Sequence, residues 1–256
     1  MPEETRQTGP ARGAGRNYLR VVYEDGQRPP SGYPDHLAAR LMDLAGLRSG
    51  MRLLDAGCGR GEMLVAFARR GLACEGLDLA EGASCPHPGV SVRQADIFAS
   101  AWPCEDAQYD AVFLKSVIEH VMDPALLLAE CQRVLKPGGA LIVLTPDFAS
   151  TMQVFYEDPT HVHPYVPKSL RDLFALHGFA QARAERFCHH ERIWEGGLAR
   201  LLADLCWLVL STPAARALAQ ATGLKFIKWA VERQVLGICR RAEPQDQGRA
   251  ERGAHE

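Results

Sequence analysis

Hydrophobic residues along this chain form short apolar runs that alternate with longer segments of helical periodicity. The runs that predict strands are residues 51–54, 73–77, 90–94, 109–115, 140–145 and 181–187. The segments that predict amphipathic helices are residues 34–47, 62–70, 124–136 and 167–177. Strands that alternate with helices in this way are typical of an α/β domain with a mostly parallel sheet.

The first predicted strand leads into three glycines that alternate with other residues. Gly57, Gly59 and Gly61 follow Asp55, and an apolar-periodic run begins directly after the last of them. This order predicts a strand, a tight turn and a helix. Glycine suits such a turn because it adopts positive φ, and because a backbone without Cβ atoms can lie against a ligand. We therefore expect a nucleotide-like ligand on this turn.

Composition narrows the possible classes of protein by exclusion. With 256 residues, of which 47% are hydrophobic, the chain can form one well-packed core, so we expect a single domain. A net charge of -2 gives no basic surplus for tracking along nucleic acid, so a nucleic-acid partner is disfavoured. The 8 cysteines include no C-x-x-C pair, and we interpret them as reduced thiols of a cytoplasmic protein.

The two ends of the chain carry polar segments. Residues 1–17 contain no apolar stretch of the kind found in signal peptides, and we expect residues 1–33 to form a flexible arm that can act as a lid. Residues 242–256 predict a disordered tail. The longest apolar run, residues 198–210, contains two charged residues and is too short to span a bilayer, so we expect no transmembrane segment.

The spacing D-x-G-x-G-x-G at residues 55–61 resembles motif I of class I S-adenosylmethionine (SAM) methyltransferases. The segments YDAVFLKSVIEHV (residues 109–121) and RVLKPGGALIVLTP (residues 133–146) resemble the small-molecule branch of that family, which includes quinone and sugar methyltransferases. The resemblance implies a Rossmann-like, doubly wound sheet of seven mostly parallel strands with SAM as the cofactor. It also implies that the last strand, residues 234–241, is antiparallel and lies beside the sixth.

The resemblance and the chain order together assign residues to the cofactor. Asp78 ends the second strand, about twenty residues beyond the glycine turn, where a carboxylate can accept hydrogen bonds from ribose hydroxyls. In similar enzymes the acid at the position of Asp96 accepts a hydrogen bond from the adenine amino group, and a local cap is the alternative. The residues assigned to SAM are Asp55, Ala56, Gly57, Cys58, Gly59, Gly61, Asp78, Leu79, Asp96, Ile97, Lys115, Ser116 and Val117.

The methyl acceptor is expected beyond the fourth and fifth strands. In open α/β sheets the ligand lies outside the carboxyl ends of the strands, so residues 116–120 face it. His120, with Glu119 beside it, is the candidate general base because imidazole titrates near neutral pH, and a structural role for the pair is an equal alternative. Residues 147–167 are too long for an ordinary connection, which indicates function. The residues assigned to the acceptor are Tyr18, Tyr23, Asp147, His161, His163 and Tyr165.

Several alternatives to this assignment stay open. His161 and His163 could bind a metal with Asp158, but we favour a polar acceptor pocket and expect no metal, since most of this family transfers methyl groups without one. An NAD-dependent oxidoreductase is disfavoured by the glycine spacing. A non-catalytic partner subunit is disfavoured because a protein that no longer uses the cofactor has no need for the whole set of cofactor residues. We expect methyl transfer to a hydroxyl of a small molecule such as a glycan, a lipid-linked sugar or a secondary metabolite.

A helical insertion is predicted at residues 192–232, between residues 34–191 and the last strand at residues 233–241, which together form the SAM-binding domain. The insertion is long enough for two helices. An apolar stripe in it consists of Leu198, Leu201, Leu202, Leu205, Leu208 and Val209. We favour packing of this stripe on the core or on a second copy in a homodimer. The alternative is peripheral contact with the inner face of a membrane, to which Trp207, Lys225 and Lys228 would contribute.

Overall fold

Seven strands form one mixed sheet in the computed structural model, which describes residues 32–80, 85, 87–98, 101–194 and 196–243. The strands are β1 (Arg52–Ala56), β2 (Ala73–Asp78), β3 (Val90–Gln94), β4 (Tyr109–Lys115), β5 (Leu135–Pro146), β6 (Phe179–Phe187) and β7 (Gln234–Arg241). The helices are α1 (Tyr33–Ala45), α2 (Glu62–Ala68), α3 (Ala125–Val134), α4 (Phe148–Thr151), α5 (Pro167–Leu176), α6 (Glu191–Trp194), α7 (Gly197–Val209), α8 (Thr212–Thr222) and α9 (Lys225–Val231). Short 3-10 turns lie at Ile118–His120 and Phe155–Glu157.

The strand order is β3-β2-β1-β4-β5-β7-β6. Strands β1 to β5 pair in parallel, and β7 lies antiparallel between β5 and β6. This arrangement confirms the predicted doubly wound sheet with its antiparallel last strand. None of the helices in the described part of the chain combines the length and the apolar character needed to cross a membrane.

The central strand β4 is buried on both faces of the sheet. Ala111 and Phe113 belong to one hydrophobic core, which α1 and α2 cover, while Val112 and Leu114 belong to the other, which α3 and α5 cover. A parallel strand covered on both faces is expected to be apolar at almost every position, and this explains the apolar run of residues 111–114 in β4. The polar residues that serve the site are therefore placed where the strands end.

Some predicted boundaries are wrong, most clearly that between α3 and β5. The helix ends at Val134, and Leu135 already has extended backbone dihedrals (φ -72, ψ 141) and pairs with Tyr109. Pro137 lacks the N–H that a longer helix would need, and a shift in register after Tyr109 accommodates the residues before Ala140. The other shifted boundaries are the end of α2 at Ala68 and the start of β6 at Phe179.

The insertion before β7 contains the three helices α7, α8 and α9 after the short α6, where two helices were expected. The apolar stripe of α7 does not pack on the core, so the predicted packing on the core is wrong, while packing on a second copy stays a prediction. Its side chains are 44% to 77% exposed, and they are Leu198, Leu201, Leu202, Leu205, Leu208 and Val209.

The buried guanidinium of Arg233 explains why α7 turns its small and polar side chains inward. Arg233 is 5% exposed and donates to the carbonyl of Ala203 at 3.0 Å and to Asp204 Oδ1 at 2.8 Å. Its Cζ also lies 5.0 Å from the ring centre of Trp207. A buried cation requires hydrogen-bond acceptors and a polarisable neighbour, which the small and polar face of α7 supplies and the leucine face does not.

We predict that Arg233→Met lowers the free energy of unfolding by about 1–3 kcal/mol, because the carbonyl of Ala203 loses its charged donor. Leu205→Ser on the exposed face of the same helix is the matched control and should change stability by less than about 0.5 kcal/mol. Urea unfolding followed by circular dichroism measures both values. A larger loss in Leu205→Ser than in Arg233→Met would contradict this orientation of α7.

Candidate active site

The glycine turn after β1 packs directly against two residues that follow other strands. Gly57 has φ +84, and a Cβ added to it would lie 2.5 Å from Val117 Cγ2 and 3.2 Å from Ile97 Cδ1. The N–H of Gly57 donates to the carbonyl of Leu77 at 2.7 Å, which ties the turn to β2. Glycine is required here for its dihedral angle and also for the space that Val117 occupies.

Asp78 lies beside the same turn, at the end of β2. Its Oδ2 accepts from the N–H of Gly59 at 2.7 Å, and its Oδ1 accepts from the N–H of Ala80 at 2.8 Å. These two bonds fix the carboxylate at the edge of the turn. Because an ionised carboxylate has about four lone-pair positions, each oxygen keeps capacity for a further donor such as a ribose hydroxyl.

A second acid, Asp55, lies beneath the turn in β1 and is 2% exposed. Burial raises the pKa of Asp55 to about 7, Lys115 at the end of β4 opposes that rise, and the charge of Asp78 adds to it. Cys58 in the turn is also affected, since burial and the two nearby acids raise the pKa of its thiol well above the ordinary range. Asp55, Cys58, Asp78 and Lys115 are therefore close enough to influence one another electrostatically.

The ends of β3 and β4 supply the neighbours of the turn. Asp96 Oδ1 accepts from the N–H of Phe98 at 3.0 Å, so this carboxylate caps its own turn, while Ile97 beside it is buried against Gly57. Ser116 is exposed and has φ 54, an uncommon value for a residue other than glycine. Such left-handed residues concentrate at functional sites, where the surrounding structure maintains them.

Glu119 is a completely buried carboxylate just beyond β4. Its Oε2 accepts from Thr145 Oγ1 of β5 at 2.9 Å, while its main-chain carbonyl accepts from the N–H groups of Val162 and His163 at 2.9 and 3.0 Å. Burial raises the pKa of Glu119 to about 7, against the hydrogen bond from Thr145 and the charge of Lys115. Glu119 thus joins β4, β5 and the long loop of residues 147–167.

His120 is 8% exposed and contacts the same loop. Its Nδ1 lies 3.1 Å from the carbonyl of Thr160 and 2.9 Å from Thr160 Oγ1. Burial and the neighbouring His161 lower the pKa of His120, so its imidazole is neutral at physiological pH. The predicted pair of Glu119 and His120 is therefore a neutral imidazole next to a buried carboxyl group.

The histidines of the long loop have different surroundings. His161 has its ring centre 4.9 Å from that of His120, and its Nδ1 lies 2.7 Å from the carbonyl of Phe155. His163 instead stacks on Tyr165, with ring centres 4.7 Å apart and an angle of 9° between the planes. The structure therefore associates His161 with His120, and His163 with Tyr165.

Asp147, assigned to the acceptor, is completely buried in a polar network that leads to α7. Its Oδ2 accepts from Arg186 Nε at 2.9 Å and from Ser150 Oγ at 2.5 Å, and Ser150 Oγ accepts from Trp207 Nε1 at 2.9 Å. Ser150, Arg186 and Thr145 were not predicted, because each is a single polar residue outside any motif. The two tyrosines Tyr18 and Tyr23 lie outside the described residues.

A family model for the methyltransferase domain matches residues 31–183 of this chain. The match covers more than half of the chain, and it includes the glycine turn, the ends of β2 to β4 and the long loop. With the sheet order and the geometry above, it shows that the chain belongs to the class I SAM-dependent methyltransferases. SAM is the cofactor of this class, and the NAD-dependent alternative loses its basis.

Curated relatives match over the cofactor-binding part of the chain. The chain is 35% identical to the ubiquinone biosynthesis O-methyltransferase of Leptothrix cholodnii over 108 residues, which are 39% of this chain and 46% of that protein. It is 36% identical to the ubiquinone biosynthesis O-methyltransferase of Pseudomonas aeruginosa over 108 residues, 40% of this chain and 46% of that protein. The matched segment spans less than half the length of these relatives.

Solved structures share the fold over most of the chain. A SAM-dependent methyltransferase from Archaeoglobus fulgidus has a TM-score of 0.59 at 24% identity, covering 87% of this chain and 99% of that one. Phosphoethanolamine N-methyltransferase 2 of Haemonchus contortus, in complex with SAM, has a TM-score of 0.58 at 19% identity, covering 94% of this chain and 59% of that one. At these identities the likeness establishes the fold alone.

The residues around the turn are suited to SAM. The absence of a Cβ at Gly57 lets Ile97 and Val117 pack against the turn, where their side chains form an apolar wall. Asp55 and Asp78 supply negative charge for a cofactor that carries a sulfonium and an ammonium group. The individual SAM contacts of these residues stay predictions.

We predict that Gly57→Ala abolishes measurable SAM binding, because the new Cβ collides with Val117 in the turn. Gly50→Ala is the matched control, since Gly50 also has positive φ (+88) but has no atom within 4 Å of an added Cβ. We further expect Asp78→Ala to weaken SAM binding by about 1.5–3 kcal/mol, the range for hydrogen bonds to a charged group. Calorimetric titration with SAM measures all three variants. Unchanged affinity in both Gly57→Ala and Asp78→Ala would refute this placement of the cofactor.

Proposed function

We propose that this protein transfers the methyl group of SAM to a hydroxyl of a small molecule. The observation that supports this proposal is the position of Glu119 and His120, one strand away from the glycine turn at the same edge of the sheet. In sheets of this kind the ligand lies outside the carboxyl ends of the strands, so both groups face the region of the activated methyl. The names of the curated relatives, which are O-methyltransferases, favour oxygen as the accepting atom.

The side chains of the site would align the acceptor and receive its proton. SAM supplies an activated methyl group when it is bound, so the main contribution of the protein is orientation. His120 is held through Nδ1 by Thr160, and an imidazole held in this way carries its lone pair on Nε2. A buried, neutral imidazole can take a proton from a hydroxyl, and the backbone bridge between Asp147 and Tyr165 holds the two ends of the same loop together.

The chemical class of the acceptor is part of the same proposal. Residues 158–165 and 167–179, with the sequences DPTHVHPY and PKSLRDLFALHGF, resemble methyltransferases of bacterial glycan pathways. We therefore propose a glycan, a lipid-linked sugar or a related hydroxylated metabolite as acceptor. A screen of such acceptors, scored by release of S-adenosylhomocysteine, tests it. A protein that binds SAM tightly but turns over no hydroxylated acceptor would instead be the non-catalytic partner subunit.

We predict that His120→Ala lowers kcat by about a hundredfold while the affinity for SAM is retained, as expected for the loss of a proton acceptor. The wild-type rate should fall as the pH drops through the pKa of His120, which lies below its ordinary value of about 6.5, because protonation removes the accepting lone pair. His177→Ala, at the far end of α5, is the control and should keep the wild-type rate. A near-normal rate in His120→Ala would refute its role as proton acceptor, and the protein would then act only by aligning the acceptor with SAM.

We also propose that the exposed face of α7 lies against a lipid surface. The six apolar side chains of this face are exposed. The opposite face contacts the long loop of residues 147–167, here called the acceptor loop, through the hydrogen bond from Trp207 to Ser150. An amphipathic helix that joins an apolar outer surface to an acceptor site suits a lipid-linked acceptor. Trp207 itself is not part of the lipid-facing surface, because its ring contacts the guanidinium groups of Arg186 and Arg233, and this corrects its assignment from the sequence.

We predict that the wild type floats with phosphatidylglycerol-rich liposomes at low salt. A triple variant, Leu201→Gln with Leu205→Gln and Leu208→Gln, should stay at the bottom of the gradient, because it removes the apolar area that enters the lipid interface. The matched control is a single variant of another exposed leucine, Leu176→Gln at the end of α5, which is 83% exposed. A wild type that does not float refutes the proposal. If the wild type and Leu176→Gln are dimers and the triple variant is a monomer, the exposed face of α7 is a subunit contact.

A further inference from the structure

We propose that Glu119, His120 and His161 bind one divalent transition-metal ion, on which the acceptor hydroxyl is held. The ligand atoms offered by these three residues all lie within 4.8 Å of one another. Glu119 and His120 come from the end of β4, and His161 comes from the loop after β5, so two separate segments meet at this point. The use of the ion in catalysis rests on the proposed methyl transfer, whereas its binding does not.

The two imidazoles are held in the orientation that metal ligands adopt. The carbonyl of Phe155 can only accept a hydrogen bond, so His161 carries its proton on Nδ1 and its lone pair on Nε2. The same holds for His120, because Thr160 Oγ1 donates to Asp158 Oδ1 at 2.5 Å and so accepts from His120 Nδ1 together with the carbonyl of Thr160. A histidine that ligates a metal almost always donates its other ring N–H to such an acceptor.

Glu119 supplies the independent observation that indicates a cation. Its carboxylate is completely buried, Oε2 is bonded to Thr145, and Oε1 has no hydrogen-bond partner among the described residues. A buried carboxylate oxygen without a donor is costly to the folded state, and few native structures retain one without a reason. A metal ion at Oε1 would compensate this cost.

The alternative set from the sequence is excluded by the positions of the side chains. His163 stacks on Tyr165, outside the cluster that His161 forms with His120. Asp158 is near, with Oδ2 3.9 Å from His161 Nε2, but its Oδ1 is occupied by Thr160. Asp158 therefore positions the ligand His120 through Thr160.

The donor set indicates the class of metal. Two imidazole nitrogens and one carboxylate oxygen suit Zn²⁺, Fe²⁺, Co²⁺ or Mn²⁺ better than Mg²⁺ or Ca²⁺, which prefer oxygen ligands. Ligand atoms on such an ion are about 3–3.5 Å apart, so side-chain rotations of about 1 Å would close the site. Three protein ligands leave coordination positions open for an oxygen of the acceptor.

The ion would activate the acceptor hydroxyl in the methyl transfer. A hydroxyl bound to a divalent metal ion loses its proton more easily, and here that proton passes to solvent. The oxygen lone pair then forms the new bond to the methyl carbon, the bond between that carbon and the sulfonium breaks, and S-adenosylhomocysteine leaves. In the metal-bound protein His120 acts as a ligand, so the low turnover expected of His120→Ala would follow from loss of the ion.

The test is titration of chelator-treated protein with ZnCl₂ by calorimetry and with CoCl₂ by visible absorption. We expect one ion per chain, and an affinity that falls at least tenfold in His161→Ala and in the isosteric Glu119→Gln. His163→Ala is the matched control from the same loop and should keep the wild-type affinity for both metals. Circular dichroism and SAM titration show whether each variant is folded.

The outcomes distinguish this inference from the proposed function. If the protein binds SAM but neither metal, or if His163→Ala weakens metal binding as much as His161→Ala does, the metal site is refuted and the methyl transfer stands. If it binds the metals but not SAM, the methyl transfer fails and the metal site stands. Turnover that a chelator abolishes and Zn²⁺ or Mn²⁺ restores would support both, and turnover unchanged by a chelator in metal-free protein would refute the use of the ion in catalysis.

Discussion

The burial of Glu119 is the constraint on which the arrangement of the site depends. Its side chain joins β4 to β5 through Thr145, and its carbonyl accepts from two successive N–H groups of the loop after β5. Since β4 is covered on both faces, the chain cannot place this carboxyl group in solvent without moving the end of the strand. The position of the middle of the loop, at Val162 and His163, therefore depends on one buried acid.

The electrostatics of the sheet edge favour the binding of cations. Asp55 and Glu119 both have their pKa raised to about 7, first of all by burial. The folded state therefore holds more protons than the unfolded chain between about pH 4 and 7, so these two groups destabilise the fold progressively as the pH rises through that window. Lys115 offsets part of this effect for both acids. A positively charged ligand would offset more, which links the stability of the domain at neutral pH to occupancy of its site.

Much of the fold and part of the site could be predicted from the sequence, because patterns of several residues encode them. Strand β4 matches its apolar run, the three glycines locate the turn, and β7 pairs where the family resemblance placed it. The side of α7 that faces inward could not be predicted, because periodicity identifies an apolar face but does not show what it contacts. That choice depends on Arg233, which lies outside the helix in sequence. The ends of α3 and the roles of Thr145 and Thr160 likewise depend on contacts between distant segments.

The polar chain from α7 to the acceptor loop gives the insertion a physical link to the site. Trp207 donates a hydrogen bond to Ser150, and Ser150 donates one to Asp147. Asp147 also accepts a hydrogen bond from Arg186, whose guanidinium lies 4.8 Å from the ring centre of Trp207. These four residues restrain one another. A displacement of α7 must therefore break a buried hydrogen bond or move the start of the long loop of residues 147–167. Because Phe148 next to Asp147 donates to the carbonyl of Tyr165, the far end of the loop is restrained as well. A surface that holds the outer face of α7 would therefore also fix the position of the acceptor loop against the end of β4.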